Sequence, residues 1–209
     1  MNQVRRFVIP LSLWGRECKI GAWRRNVRRP VAACSLALLA ACGIAKYEAN
    51  PDGSKPELYR ATDVLRWPLV DGAHQSPSGN ARIYIHENVE FDNDVRLGNG
   101  VRIAQDAFID EDVVLFPNVT VGEGSRVGGD ATVQGDVKIG NKVLIRGDAK
   151  IGAGSVIEDG ATIGKWARLG TGVTVGAGAT IGAGSVIGDG VTIPKSKSLP
   201  PSTRLDAAR

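Results

Sequence analysis

Two histidines, three cysteines and a ladder of aspartates are the residues in this 209-residue sequence whose types and spacing can do chemistry. Histidine takes and returns protons near neutral pH, and the chain carries only His74 and His86. Two histidines exclude a zinc site built on three imidazoles, and Cys18, Cys34 and Cys42 form no Cys-x-x-Cys pair for a zinc knuckle. Asp94, Asp112, Asp130 and Asp148 recur at intervals of 18, and Asp92-Asn93-Asp94 is echoed by Asp110-Glu111-Asp112. If residues 18 apart stack, carboxylates about 5 Å apart repel by roughly 1 kcal/mol even in water. Ca²⁺ would relieve this by taking several oxygen ligands, with Asp92, Asp94, Asp110 and Asp112 as its metal ligands. The plainer expectation, preferred here, is that Asp occupies those positions because it tolerates a tight corner while solvent screens its charge. No other cofactor is expected.

Cys42 closes a different pattern. Residues 1–30 hold eight Lys/Arg and one Glu, and an uncharged run from Pro30 to Cys42 follows. A positive segment, a short apolar stretch and small residues are the marks of an export signal. No run of 18 apolar residues occurs, so no ordinary membrane-spanning helix is expected. Leu39-Ala40-Ala41-Cys42 resembles the lipobox of bacterial lipoproteins. That resemblance implies cleavage before Cys42 and lipid attachment to its thiol. Residues 1–41 are therefore read as a signal, and 42–80 as a lipid tether and cap. The expected location is the bacterial cell envelope, anchored to the bilayer through Cys42 and facing the periplasm or exterior. Cleavage removes Cys18 and Cys34, so the mature chain has no disulfide partner. Within the cap, Pro56 to Trp67 reads as a short helix that Pro68 ends, with Leu58, Ala61 and Leu65 on one face. Asp71-Gly72 and Ser76-Pro77-Ser78-Gly79-Asn80 read as loop.

A six-residue period organises residues 81–194. From Ile85 to Ile193 an aliphatic or Phe residue falls at every sixth position, nineteen times without an insertion. Val, Ala or Ser sits two places before each following member, and Gly, Asn or Asp three before it in sixteen of eighteen cases. Lys142 and Trp166 are the two exceptions. The aliphatic and small positions share parity, so in a strand they face one side. Gly, Asn and Asp tolerate positive φ. Each hexad is then a short strand and a corner, and a chain turning the same way at each corner winds into a solenoid. A helix is excluded, because a period of six scatters the apolar residues around it.

This pattern resembles the hexapeptide-repeat family. The resemblance implies an all-β fold, a left-handed parallel β-helix solenoid of about six triangular coils, here behind the signal, tether and short capping helix. Residues 195–209 are expected to be a polar tail beyond the break at Lys197. Relatives of this fold include acyltransferases working as trimers, in which a histidine base stands beside a loop that interrupts the hexads. Here the hexads contain one histidine, His86, and no interrupting loop. His86 is the one catalytic candidate the resemblance points to, and it reads more simply as an exposed strand residue. The carbonic anhydrase branch of the fold needs three histidine ligands.

Charge narrows the partners. Residues 85–194 carry nine basic and fifteen acidic residues, so the basic overall balance belongs to the front end, and nucleic acid is not an expected partner. Phe108 and Leu144 share one outer column with Arg126 between them, and Trp166 stands at a corner. Exposed apolar residues of this kind fit an oligomer seam, and a homotrimer is the assembly the resemblance implies. The expected function is a membrane-anchored structural or binding scaffold in the envelope. The alternative is a hexapeptide-family acyltransferase acting on a small amine or hydroxyl acceptor. Because no sheltered base and no walled pocket are visible, the protein is expected not to turn over acetyl-CoA.

The anchoring expectation has a direct check. A palmitate analogue fed to producing cells should label the wild type, and Cys42→Ala should lose both label and membrane association. Equal labelling of the two proteins would remove the lipid anchor.

Overall fold

The structure, a computed structural model, describes residues 57–206. Its winding follows from one local event. At every sixth residue from Asn88 to Ser202 the backbone takes positive φ, between 54° at Lys142 and 75° at Gly100. Between these corners lie short extended segments. Arg82–Ile85 opens the first face, Glu90–Phe91 the second and Arg96–Gly98 the third. Arg102–Ile103 then returns to the first face, with Tyr84 beside Arg102 and Ile85 beside Ile103. From there to Arg204–Leu205 every strand is two residues long and pairs in parallel with the strand 18 residues away. The three faces are sheets of nine, seven and eight strands. The architecture is a left-handed parallel β-helix of about seven turns.

The inside is filled by the two same-parity positions of each hexad. Val143, Ile145, Ala149 and Ile151 are all buried to within 1%. They belong to one continuous apolar cluster that runs from Ile83 to Leu199. Three serines sit in that column, at 125, 155 and 185, and each is fully buried. A buried hydroxyl needs partners, and each has two in the coil above. Ser125 Oγ donates to Gly140 O at 2.7 Å and accepts from Val143 N at 3.0 Å. Ser155 and Ser185 repeat the arrangement with Gly170 and Val173, and with Pro200 and Thr203.

The base of the solenoid is closed differently from the expectation. The expected helix over Pro56–Trp67 is instead β1 (Leu58–Arg60) followed by a single turn, α1 (Ala61–Val64). A helix this short is marginal by itself, and Arg60 at its start supplies no side-chain cap. The open edge of the third face offers β1 backbone partners instead, and β1 pairs antiparallel with Arg96–Gly98. Val64 and Ala61 are buried, whereas Leu65 is exposed, so the turn plugs the interior with Val64. Tyr59 meets Trp67 edge-on, with ring centroids 4.9 Å apart. Burial, together with its hydrogen bond to the Glu57 carboxylate, pushes the Tyr59 phenol up to about 12. Asp71-Gly72 and Ser76 to Asn80, read as loop, are turns, and the first of them joins a hairpin. Here β2 (Leu69–Val70) pairs with β3 (Ala73–Gln75), which pairs antiparallel with Arg82–Ile85. Antiparallel strands thus cover two sheet edges that would otherwise invite pairing with another chain.

The far end also differs. The polar tail expected at 195–209 continues the winding through Ser198–Leu199 and Arg204–Leu205. Leu199 and Leu205 keep the six-residue phase, and Leu199 is buried. Lys197 occupies an inward position yet is exposed, because among the described residues no coil stacks on it.

This register makes a sharp demand on substitutions. Ile145→Asp places an unpartnered carboxylate in mid-core, and it should cost several kcal/mol and unfold neighbouring coils. Thr174→Asp, on the outward parity, should stay within about 0.5 kcal/mol of wild type. Comparable thermal midpoints for the two would contradict the register.

Candidate functional site

The outward positions face neither the corners nor the core, and they vary widely except where, as at Gly122 and Gly128, a Cβ would meet the backbone of the next coil. On the first face they are Tyr84, Arg102, Thr120 and Lys138 in one column, then His86, Ala104, Gly122 and Gly140 in the next. Large side chains beside small ones leave a shallow trough. Its lower part is a groove of about 320 Å³ lined by Tyr84, His86, Arg102, Ala104 and Thr120, with the hairpin turn at Gly72 forming one rim. The Arg102 guanidinium lies 3.8 Å from the centroid of the Tyr84 ring, which holds it flat over the groove. Among the described residues Arg102 has no carboxylate partner. Higher on the same face, Lys138, Val156, Glu158 and Asp159 line a second groove of about 380 Å³. The outer surface is therefore grooved rather than smooth.

His86 follows the first strand of the solenoid, and its backbone N–H donates to Ile103 O at 2.9 Å. Its ring is exposed and opens onto the lower groove. His74 is placed otherwise. It lies in β3, opposite Leu69 and Ile83, with 8% of its surface exposed and a buried Nδ1 that has no hydrogen-bond partner. Of the two imidazoles, His86 alone can meet a molecule arriving from outside.

The acidic corner lies on the turns of positive φ. Asp94 and Asp112 both have φ of 55°, and Asp130 and Asp148 have 58° and 59°. Their neighbours are engaged in the turns themselves. Asp92 Oδ1 accepts from Asn93 N at 2.7 Å and from Asn93 Nδ2 at 2.9 Å, and Asp110 Oδ1 accepts from Glu111 N at 2.9 Å. Among the described residues no three His, Cys, Asp or Glu side chains gather closely enough to hold a metal ion. Cys42, the expected lipidation site, lies outside the described residues. Among those described, no helix is long and apolar enough to cross a membrane.

Comparison with known proteins agrees with this architecture. The family model described as bacterial transferase hexapeptide (six repeats) matches residues 130–165, 142–177 and 154–195. The acetyltransferase domain of PglB from Neisseria gonorrhoeae FA1090, solved in complex with acetyl coenzyme A, is similar at 29% identity and a TM-score of 0.53. That match covers 56% of this chain and 57% of the PglB domain, so the likeness spans little more than half of either. A hexapeptide transferase family protein from Anaplasma phagocytophilum shares the fold at 18% identity and a TM-score of 0.55, over 62% of this chain and 77% of that one. No protein of curated function matches the sequence. The expectation of a scaffold without catalysis is corrected by the likeness to the PglB domain, an acetyltransferase solved with an acyl thioester. An unbroken hexad series does not make a featureless surface, because outward side chains of unequal size leave grooves between stacked coils.

The corner geometry predicts a simple substitution series. Asp112→Asn should leave the melting temperature unchanged, since Asn tolerates positive φ, whereas Asp112→Val should cost about 1–2 kcal/mol. Millimolar calcium should shift neither variant nor wild type. A calcium-dependent rise in wild type that disappears in Asp94→Asn/Asp112→Asn would establish the cation site.

Proposed function

We propose that the protein is a hexapeptide-type acyltransferase that passes an acyl group from a coenzyme A thioester to an amine or hydroxyl acceptor. The observation that carries this reading is the likeness to the PglB acetyltransferase domain in complex with acetyl coenzyme A. The groove on the first face supplies the chain's own contribution. His86 takes a proton from the acceptor's N–H or O–H, and the freed lone pair attacks the thioester carbonyl. As the carbon–sulfur bond breaks, the thiolate leaves and receives the proton from the imidazolium. A base must stand within hydrogen-bond reach of the proton it removes. His86 meets the condition of access, and the enclosed His74 does not. The groove is open along its length. A second copy packed on the first face would wall it and exclude water, which is the role we assign to a homotrimer. Anchoring at Cys42 belongs to the same proposal and would hold the grooves near a bilayer.

Turnover of acetyl-CoA against a panel of amines and alcohols tests the reading. The wild type should release free thiol with at least one acceptor, and His86→Ala should slow it by about 10²–10⁴-fold. Absence of turnover with every acceptor would sink the transferase reading. Undiminished turnover in His86→Ala would move the base elsewhere, with Glu158 and Asp159 in the upper groove as the next to replace.

A further inference from the structure

The two ends of the solenoid differ in kind. Among the described residues five large apolar side chains are exposed, and three of them, Leu65, Leu69 and Val70, fall within six residues of chain at the base. Leu69 is the most exposed of the five, at 67%. The far end carries Pro194, Lys195, Lys197, Pro200 and Arg204 instead, and none of the five lies beyond Val186.

The base patch is built on two elements. Leu65 follows α1 directly, and Leu69 and Val70 form β2, the outermost strand of the first face. β2 pairs with β3 alone, so its other edge is open. Between them Trp67 packs partly against the core and meets the Tyr59 ring. Arg60 and Arg66 are exposed and, among the described residues, have no carboxylate partner. The exposed Asp63 and Asp71 balance them in charge, so what the patch offers a partner is chiefly apolar. Aliphatic side chains bordered by an aromatic pair and arginines have the composition of a membrane–water interface. A second copy is a poorer occupant, because a two-residue strand and one side chain offer far less than the roughly 1,200 Å² that a stable protein interface buries.

Chain length points to the same end. Fourteen residues separate Cys42 from Glu57, which leads into β1 at the base, and such a stretch reaches at most about 50 Å. Seven turns stacked at about 4.8 Å put the far end some 30 Å further along the chain's path. A bilayer holding Cys42 therefore meets the base first.

We infer that the base of the solenoid is a lipid-docking surface, with Leu65, Leu69 and Val70 set at the headgroup boundary of a phospholipid bilayer and the far end in water. The open edge of β2 limits the depth, because backbone N–H and C=O groups left unpaired in hydrocarbon are costly. At headgroup depth water and phosphate satisfy them. The patch itself is read from the base alone, and only the reach of the chain rests on the proposed anchor at Cys42.

Hydrogen–deuterium exchange of the full-length, unacylated chain with vesicles of phosphatidylcholine and phosphatidylglycerol at millimolar lipid tests the inference. Residues 1–30, with eight Lys/Arg and one Glu, draw the chain to an anionic bilayer, so the outcome does not depend on lipid at Cys42. Vesicles should slow exchange over residues 65–72 by about threefold or more and leave residues 194–206 unchanged. Leu65→Gln/Leu69→Gln should abolish that slowing, while the chain still floats with the vesicles and keeps the wild-type thermal midpoint. Protection retained in this variant, protection confined to the solenoid faces, or a wild type that does not float would overturn the inference. So would slowing at 65–72 that needs no vesicles and grows with protein concentration, which assigns the patch to a second copy. An unlabelled wild type in the palmitate experiment would remove the anchor and leave this result standing, so the two failures are read separately.

Discussion

The structure depends on a backbone turn of positive φ at every sixth residue. Without it the short strands would run on instead of folding back onto the coil below. The turn costs an ordinary side chain about 1–2 kcal/mol, so an uninterrupted series is sustainable only where Gly, Asn and Asp fill most of it. Lys142 and Trp166 show what the series can carry against that cost, with φ of 54° and 59°. Neighbouring coils hold the backbone at those angles by hydrogen bonds on either side. Lys142 N donates to Glu123 O at 2.8 Å, and Trp166 N to Gly147 O at 3.2 Å. A solenoid is a sum of such nearest-neighbour interfaces, so a costly corner in one coil is supported by the coils that flank it.

Closing the coil also decides what happens to polar groups inside and at the ends. Within the column, Ser125, Ser155 and Ser185 satisfy their hydroxyls on the backbone of the next coil, which ties consecutive turns together by more than apolar contact. At the corners Asn141 and Asp159 do the same from outside. Asn141 Oδ1 accepts from Glu123 N at 2.9 Å, and Asp159 Oδ1 accepts from Asn141 N at 2.7 Å. The base is closed by antiparallel strands and the Val64 plug. At the other end, Pro194, Pro200, Lys195 and Lys197 occupy the last coil, residues that discourage a further strand from adding.

Because inward positions and corners consume the structural requirements, the outward columns carry whatever chemistry the protein performs. Each such column repeats every 18 residues and is stacked at about 4.8 Å, so a groove forms wherever small residues follow large ones along a face. The first face places His86 and Arg102 in such a groove. The second face gathers Arg126, Arg146 and Lys165 over an apolar floor. The two are separated by a corner rather than joined in one cleft, which lets each evolve without disturbing the core. Likeness to transferase solenoids bears on the shared winding and its repeats; the side chains on these faces are this chain's own.

The period of six by itself determined the solenoid, its parity and its corners, because each is a local consequence of side-chain size and backbone φ. Ile145 and Val143 could be placed inside, and Asp112 at a corner, without any knowledge of distant contacts. The base and the end were decided by tertiary structure. Leu58–Arg60 has no strand partner in its own neighbourhood and becomes a strand only because the edge at Arg96–Gly98 is open to it. Leu199 and Leu205 were in phase and legible, but Lys197 concealed them, since nothing local reveals that this inward position is exposed to solvent. The grooves were hidden for the same reason. Tyr84 and Arg102, or Phe108, Arg126 and Leu144, come together only when coils 18 residues apart are stacked, and whether a column is smooth or hollow depends on side chains that are never adjacent in sequence.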